Sequence, residues 1–195
     1  MVAGFTDSNG EAFPDIFLHD RDTGSQVLVS HAFAGAHIGH NDTGSGTQLH
    51  GVSADGRWVV FQSDASNLLA SGQAVLNGMY LYDRDNGQVR LVSGDPGPAL
   101  TGGRLYGFNA DASRLLFTSF SGLWIWNRLR DERTLVTRRW DDQALLSPGG
   151  DVVALTTTAI GLTEAASDGG PWQDVYVAPV VDLAVVRLFA DGFED

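Results

Sequence analysis

The chain repeats one pattern of apolar and turn residues, and this repetition limits the folds open to it more than any other feature. Residues 15–30 read DIFLHDRDTGSQVLVS and residues 78–93 read GMYLYDRDNGQVRLVS, so that Asp20 matches Asp83. A weaker third copy, LWIWNRLRDERTLV, follows at 123–136. A unit that recurs in this way indicates a repeat architecture, in which neighbouring copies cover one another's apolar faces.

A second element accompanies these copies, and it occurs as VSADGRWVVFQS at 52–63, FNADASRLLFTS at 108–119 and LSPGGDVVALTT at 146–157. Each example predicts a strand, a tight polar turn and a buried strand of aliphatic or β-branched residues. In the first element, DRDTG and DRDNG predict hairpin turns, because Asp, Asn and Gly readily adopt the left-handed conformation. No stretch keeps a helical period over three turns.

Together the two elements make a unit of four short antiparallel strands that recurs at the spacing of propeller blades. The sequence therefore predicts an all-β fold, a partial β-propeller of about three and a half four-stranded blades. We expect an incomplete propeller over residues 1–189 and a C-terminal tail at 190–195, with a half-blade at 15–30 and blades at about 48–93, 105–138 and 143–189.

The second strand of each full blade is apolar on both faces, as sheets that stack face to face require. We expect these strands, at 59–61, 115–117 and 152–155, to be among the most buried segments. The half-blade lacks its first two strands. One end of the partial propeller should therefore expose an unpaired strand edge and an uncovered apolar face. We therefore expect the chain to be a fragment of a longer protein and, in isolation, to self-associate through this open edge.

The run VSADGRWVVFQSDASNLL followed by MYLYDRDNGQVRLVS resembles the WD-type propeller repeat of TolB-like proteins. That repeat reads roughly S-x-D-G-x-x-[IV]-[AV]-F-x-S, then [IV]-[YF]-[VL]-x-D and a Gly turn. The resemblance is strongest over 48–93 and weakest in the last two blades, where Asp-Gly becomes Asp111-Ala112 and Gly149-Gly150. It implies a bacterial binding or assembly module, often periplasmic or extracellular.

Composition argues against several classes of function. The 24 acidic and 12 basic residues give a formal charge of −12, which disfavours nucleic-acid binding because each contacted phosphate needs a nearby cation. The chain has no Cys, and therefore no thiol nucleophile or thiolate metal site. No run is apolar enough to span a membrane. No Lys or Arg precedes Arg21, so a secretory signal is not recognisable.

No catalytic pattern is specific. The serine elbow G-x-S-x-G is missing, because Gly51-Val52-Ser53 is followed by Ala54 and Asp55. A glycosidase needs two carboxylates across a cleft. With 24 acidic residues some such pair is always available, so the presence of acidic residues does not identify a glycosidase. We therefore predict that the chain is not an enzyme and has no cofactor.

Two patterns raise the possibility of a metal, and neither is complete. His31, His37, His40 and His50 lie close together with Asp42, but their spacing matches no ligand motif. The DRDTG and DRDNG runs begin like calcium loops, yet neither reaches a closing Glu. We predict a solvated loop and two structural turns, and no metal site.

The long connections of the predicted propeller favour a binding face. The connections at 31–47, 64–78, 94–104 and 158–173 are expected to emerge on one face, and long connections tend to carry recognition. We predict that this face brings together the candidate ligand-binding residues His37, His40, Asp42, Asp95, Trp140, Asp141 and Trp172. The alternative is that these loops are simply unconstrained.

The sequence thus predicts a non-catalytic binding or scaffold module with a protein or glycan partner. The alternative is the propeller portion of a larger hydrolase, acting on peptides or glycans, whose catalytic part is absent from this chain. A gene fragment without function is a third possibility. A catalytic domain in the upstream reading frame would favour the hydrolase.

Overall fold

The computed structural model describes residues 14–36, 39–40, 47–72, 75–92, 103–119, 122–138, 143–157 and 174–180. These ranges contain thirteen β-strands and no helix. The described residues therefore include no helix that is long and apolar enough to cross a lipid bilayer. The chain divides into two compact units, Met1–Gly103 and Arg104–Asp195.

The first unit contains a two-stranded and a four-stranded antiparallel sheet. The first sheet is formed by β1 (Phe17–His19) and β2 (Gln26–Leu28). The second sheet is formed, in chain order, by β3 (Gln48–Val52), β4 (Trp58–Ser63), β5 (Gly78–Asp83) and β6 (Gln88–Leu91).

The second unit contains a third and a fourth sheet, again antiparallel and in chain order. The third sheet is formed by β7 (Leu105–Phe108), β8 (Arg114–Ser119), β9 (Gly122–Asn127) and β10 (Glu132–Thr137). The fourth sheet has three described strands, β11 (Ala144–Leu146), β12 (Val152–Thr157) and β13 (Asp174–Pro179). The last predicted strand and the predicted tail fall in 181–195, outside the described residues.

The predicted fold class is confirmed. The described strands form all-β, antiparallel sheets in which each strand pairs with its neighbour in sequence, and two of these sheets have four strands. This meander is the organisation of a propeller blade.

The sheets of each unit pack together through apolar side chains. In the first unit, Ile16 and Val29, which flank the first sheet, pack with Val59, Phe61 and Tyr80 of the second. The Phe61 and Tyr80 rings stack at 5.4 Å between centroids. Burial of such side chains contributes about 1.5–3 kcal/mol each, so this contact contributes substantially to the stability of the unit.

The second unit repeats this arrangement with a different set of side chains. Leu116, Leu123 and Ile125 of the third sheet pack with Val153 and Leu155 of the fourth. The β-pairs place Leu116 beside Ile125, and Val153 and Leu155 on one face of β12. One face of the third sheet therefore covers one face of the fourth.

The predicted burial of the second strands is confirmed for two blades and holds for alternate residues of the last one. Residues 59–61 and 115–117 are buried throughout. In β12, Val153 and Leu155 are buried, whereas Val152 and Ala154 are half-buried. The reason is that only one face of the fourth sheet is covered among the described residues.

The turns that lead into these strands keep one backbone geometry while their residues change. Gly56 has φ +72° in the second sheet and Gly150 has φ +76° in the fourth. In the third sheet the same place is taken by Ala112, which adopts φ +50° despite its side chain. The loss of the Asp-Gly pair from the sequence thus leaves the turn intact.

The DRDTG and DRDNG runs are turns whose first carboxylate accepts hydrogen bonds. Asp83 accepts two from Arg57, at 2.9 and 2.8 Å, and one from the backbone N–H of Asp85. The N–H of Thr23, followed by the Arg84 guanidinium, holds the pKa of Asp20 at about 2, well below its usual value. The structural reading of both turns is confirmed.

Gly122 opens β9 where a side chain has no room. Its φ is +149°, and an added Cβ would lie 2.5 Å from the Thr137 carbonyl oxygen and 2.6 Å from Leu135 Cδ1. We expect Gly122→Ala to lower the free energy of unfolding by about 2 kcal/mol, because the β9–β10 pairing must shift.

Gly107→Ala is the matched control, since an added Cβ at Gly107 meets no heavy atom within 4 Å. Urea melts of both variants measure the difference. Equal stabilities would contradict the proposed packing at the start of β9.

Candidate functional site

The predicted loop-face site is largely outside the described residues. His37, Asp42, Asp95, Trp140, Asp141 and Trp172 all lie in the segments that are not described. His40 is described, and its side chain is fully buried. Its Nε2 lies 3.2 Å from the Pro14 carbonyl oxygen and 3.4 Å from Asp15 Oδ1. The shared face of these seven residues stays a prediction.

The other two described histidines of the predicted cluster contact different parts of the first unit. The ring nitrogens of His31 each lie 2.9 Å from a carbonyl oxygen, one of Ala32 and one of Gly87. His50 Nε2 lies 2.6 Å from Gln62 Oε1, and burial lowers the pKa of His50. Among the described side chains, no group of three or more His, Asp or Glu is arranged to hold a metal ion.

Two serines of the described chain have buried hydroxyls that contact carboxylates. Ser53 Oγ donates to Asp55 Oδ1 at 2.5 Å and accepts from the Trp58 N–H, which confirms its place in a turn. Ser30 Oγ donates to Asp15 Oδ1 at 3.1 Å. A serine nucleophile needs an adjacent base, usually an imidazole, and access to substrate. Each of these hydroxyls instead faces a carboxylate and is buried.

A cleft of about 380 Å³ opens in the second unit, between the start of β7 and the strands of the fourth sheet. This volume falls within the range of small-molecule sites, roughly 300–1,000 Å³. We call it the Arg104 cleft, and its walls are formed by Arg104, Leu105, Tyr106, Gln143, Ala144, Leu145, Ala154, Leu155, Thr156 and Val175.

The backbone of Arg104 is anchored at the beginning of β7. Its N–H donates to Thr118 Oγ1 at 2.8 Å, and its carbonyl oxygen accepts from the Thr118 N–H at 2.9 Å. The guanidinium Cζ lies 5.2 Å from the centroid of the Tyr106 ring. This separation is that of a cation–π contact.

Thr156 brings an unusual hydroxyl to the same cleft. Its Oγ1 is buried and has no hydrogen-bond partner among the described residues. Its backbone N–H donates to the Gln143 carbonyl oxygen at 2.9 Å, which fixes the strand beside it. An unpaired buried hydroxyl costs about 1–3 kcal/mol.

One surface of the fourth sheet is apolar and uncovered. Leu145, Val175 and Val177 are exposed by 68%, 71% and 68%. Register places Leu145 and Val177 beside Ala154, and Val175 beside Thr156. We call this set of five residues the fourth-sheet face.

The equivalent positions of the other full sheets are buried. In the third sheet, Leu123 and Ile125 pair with β8 as Val175 and Val177 pair with β12, and their exposures are 0% and 4%. The corresponding residues of the second sheet, Met79 and Leu81, are also fully buried. The fourth-sheet face is thus exposed at positions where the second and third sheets are buried.

Comparisons with known proteins do not assign the chain to a family. No protein-family model matches the chain, and no curated protein matches it. Among solved structures it is similar to an oligogalacturonate lyase from Vibrio parahaemolyticus, with 13% identity and a TM-score of 0.41. The match covers 76% of this chain and 37% of the lyase chain. A likeness of this extent does not assign an activity.

The unpaired hydroxyl of Thr156 can be tested by isosteric substitution. We expect Thr156→Val to raise the free energy of unfolding by about 1 kcal/mol, because it removes a buried polar atom that makes no hydrogen bond.

Thr118→Val is the matched control on the neighbouring sheet, where the hydroxyl accepts from the Arg104 N–H. It should lower the free energy of unfolding by about 1 kcal/mol. Chemical denaturation measures both changes. A loss of stability in Thr156→Val equal to that in Thr118→Val would show that the Thr156 hydroxyl is already paired.

Proposed function

We propose that this chain is a non-catalytic binding module built on TolB-like propeller repeats, and that it binds through the fourth-sheet face. The observation that supports this function is the exposure of Val175 and Val177, at positions that are buried in the second and third sheets. Apolar side chains that lie together in the open mark a surface that gains free energy when a partner covers it.

The partner that fits this surface best is another β-sheet with an apolar face. In the third sheet, the equivalent residues Leu123 and Ile125 are covered by Ala144, Val153 and Leu155 of the fourth sheet. A further sheet could pack on the fourth-sheet face in the same way as the fourth sheet packs on the third. Stacked sheets of this kind interdigitate over a layer about 10 Å thick.

We take the occupant to be a second copy of this chain, with the two fourth-sheet faces in contact. Copies of a chain with a formal charge of −12 repel one another over most of their surface. The fourth-sheet face contains no charged side chain, so it is a place where two copies can meet without like-charge repulsion. A surface that pairs with itself gives a closed dimer with two-fold symmetry.

The alternative function is the propeller portion of a larger hydrolase that acts on peptides or glycans. In that case a further blade of the larger protein would cover the fourth-sheet face, and the isolated chain would still expose Val175 and Val177. A catalytic domain with a serine elbow or a carboxylate pair in the upstream reading frame distinguishes this alternative from the binding module.

Val177→Glu tests the proposed dimer contact. We expect the unaltered chain to be dimeric by light scattering at tens of micromolar, roughly the range of modest interfaces. The variant should be monomeric, because the contact would bury two uncompensated carboxylates. Its melting temperature as a monomer should change little, since Val177 is 68% exposed.

Leu129→Glu is the matched control. Leu129 is 73% exposed and lies between β9 and β10, away from the fourth-sheet face. This variant should dimerise as the unaltered chain does. A strictly monomeric unaltered chain with a sharp cooperative melt, or equal dissociation of both variants, would contradict the proposed contact.

A further inference from the structure

We propose that the first unit has a docking surface for a β-hairpin of a partner protein, on the face of β3 that continues the contact between the first and second sheets. Its accessible side chains are Leu49 and Val52, which are exposed by 55% and 48%, and we call this pair the β3 surface. The fourth-sheet face is formed by other residues, in the second unit. This inference therefore goes beyond the proposed function.

The β3 surface belongs to two apolar rows that cross the second sheet. Paired residues of neighbouring strands lie on one face, and the register gives the rows Leu49, Phe61, Tyr80, Leu91 and Val52, Val59, Tyr82, Val89. The last three residues of each row pack in the core that the first and second sheets share. The first residue of each row, on β3, is open. A partner that covers β3 would thus extend a contact that is already formed.

The second unit shows what covers the equivalent strand there. Ala144 occupies in β11 the position that Leu49 occupies in β3, since each pairs with the fourth residue of the following strand. Ala144 is buried, and it packs in one cluster with Leu116 of β8 and Tyr106 of β7. Both of these strands contact β11. The cover of β11 is therefore the hairpin that β7 and β8 form.

The described part of the first sheet has no such hairpin over β3. Its strands β1 and β2 match β5 and β6 in the repeat, because Asp20 and Asp83 begin the same hairpin turn. β5 and β6 are the third and fourth strands of their sheet. Among the described residues, the first sheet thus lacks the two strands that correspond to β7 and β8, and the β3 surface is exposed at their place.

The partner that fits this place is a hairpin of short strands with aliphatic or aromatic side chains on one face. A hairpin pairs half of its own backbone groups before it binds, so its burial leaves fewer polar groups unsatisfied than the burial of a single strand. A chain with a formal charge of −12 also favours a partner that is not acidic.

The probe is a synthetic hairpin with the sequence of residues 103–119, GRLYGFNADASRLLFTS, which includes β7 and β8. It carries two arginines and one aspartate, so it is not repelled by the acidic chain. Gly103→Cys and Ser119→Cys in the peptide close its ends with a disulfide, because an isolated hairpin is only marginally stable in water. The β7–β8 register, continued beyond Leu105 and Phe117, places these two positions opposite each other. The chain itself has no Cys that could exchange with the disulfide.

Fluorescence anisotropy of the labelled hairpin, titrated with the Val177→Glu chain, measures binding without the proposed dimer contact. We expect a dissociation constant on the order of 100 µM, since the contact adds few side chains. Leu49→Glu, added to that chain, should weaken binding at least about tenfold, because the contact would bury a carboxylate. Thermal melts establish that each variant is folded before it is titrated.

Leu76→Glu in the Val177→Glu chain is the matched control. Leu76 is 54% exposed and lies in the connection between β4 and β5, outside the two rows. This variant should bind the hairpin as the Val177→Glu chain does. Equal binding by the Leu49→Glu and Leu76→Glu variants would overturn the proposal, as would a hairpin that does not bind the Val177→Glu chain.

A second hairpin decides the question if the Leu49→Glu variant does not fold. Tyr106→Ser and Leu116→Ser in the peptide remove the two side chains that pack towards β11 in the chain. This hairpin should bind the Val177→Glu chain at least about tenfold more weakly than the first hairpin. Equal binding of the two hairpins would overturn the proposal. Dimerisation of the unaltered chain is a separate measurement, so the proposed function and the β3 surface can fail independently.

Discussion

The structure depends on one constraint, which is that the second strand of each of the three larger sheets is apolar on both faces. Val60 and Phe61 of β4 point to opposite faces of the second sheet, and both are fully buried. Leu116 and Phe117 do the same in β8. A sheet of this composition is stable only with a layer on each side, because neither face can be left in water without losing most of its hydrophobic stabilisation.

This constraint explains why the sheets stack and why the fourth one is different. Its covered face, with Val153 and Leu155, contributes to the core of the second unit. Its other face carries side chains of the same kind, and two of its valines are about 70% exposed. The binding function proposed for this face arises because the described chain does not provide a layer that covers it.

Much of the fold could be predicted because its signals are local. Asp20 and Asp83 begin turns that their own side chains stabilise, so a five-residue run is sufficient to recognise each hairpin. The third copy is harder to recognise because Asp131 replaces the turn glycine, yet it adopts φ +53° and makes the same type of turn. Asn and Asp tolerate this conformation better than other side chains, which is why the hairpin survives the change.

The candidate site could not be predicted from the sequence, because it depends on which groups of other strands contact each residue. Thr118 and Thr156 occupy the same place in the repeat, but one hydroxyl accepts a backbone N–H and the other has no partner among the described groups. Ile125 and Val177 are likewise equivalent and equally apolar, and only their neighbours decide which is buried. No local pattern distinguishes the members of these pairs.

Hydrogen exchange of the monomeric chain tests the central claim most directly, since protection follows the burial of each strand. β8 and β12 are both middle strands with hydrogen-bonded neighbours on each side, so their pairing alone would protect them equally. The account predicts that the amides of β12, which lies in a sheet covered on one face, exchange at least tenfold faster than those of β8. Equal protection of the two strands would show that a second covering layer is not what stabilises these sheets.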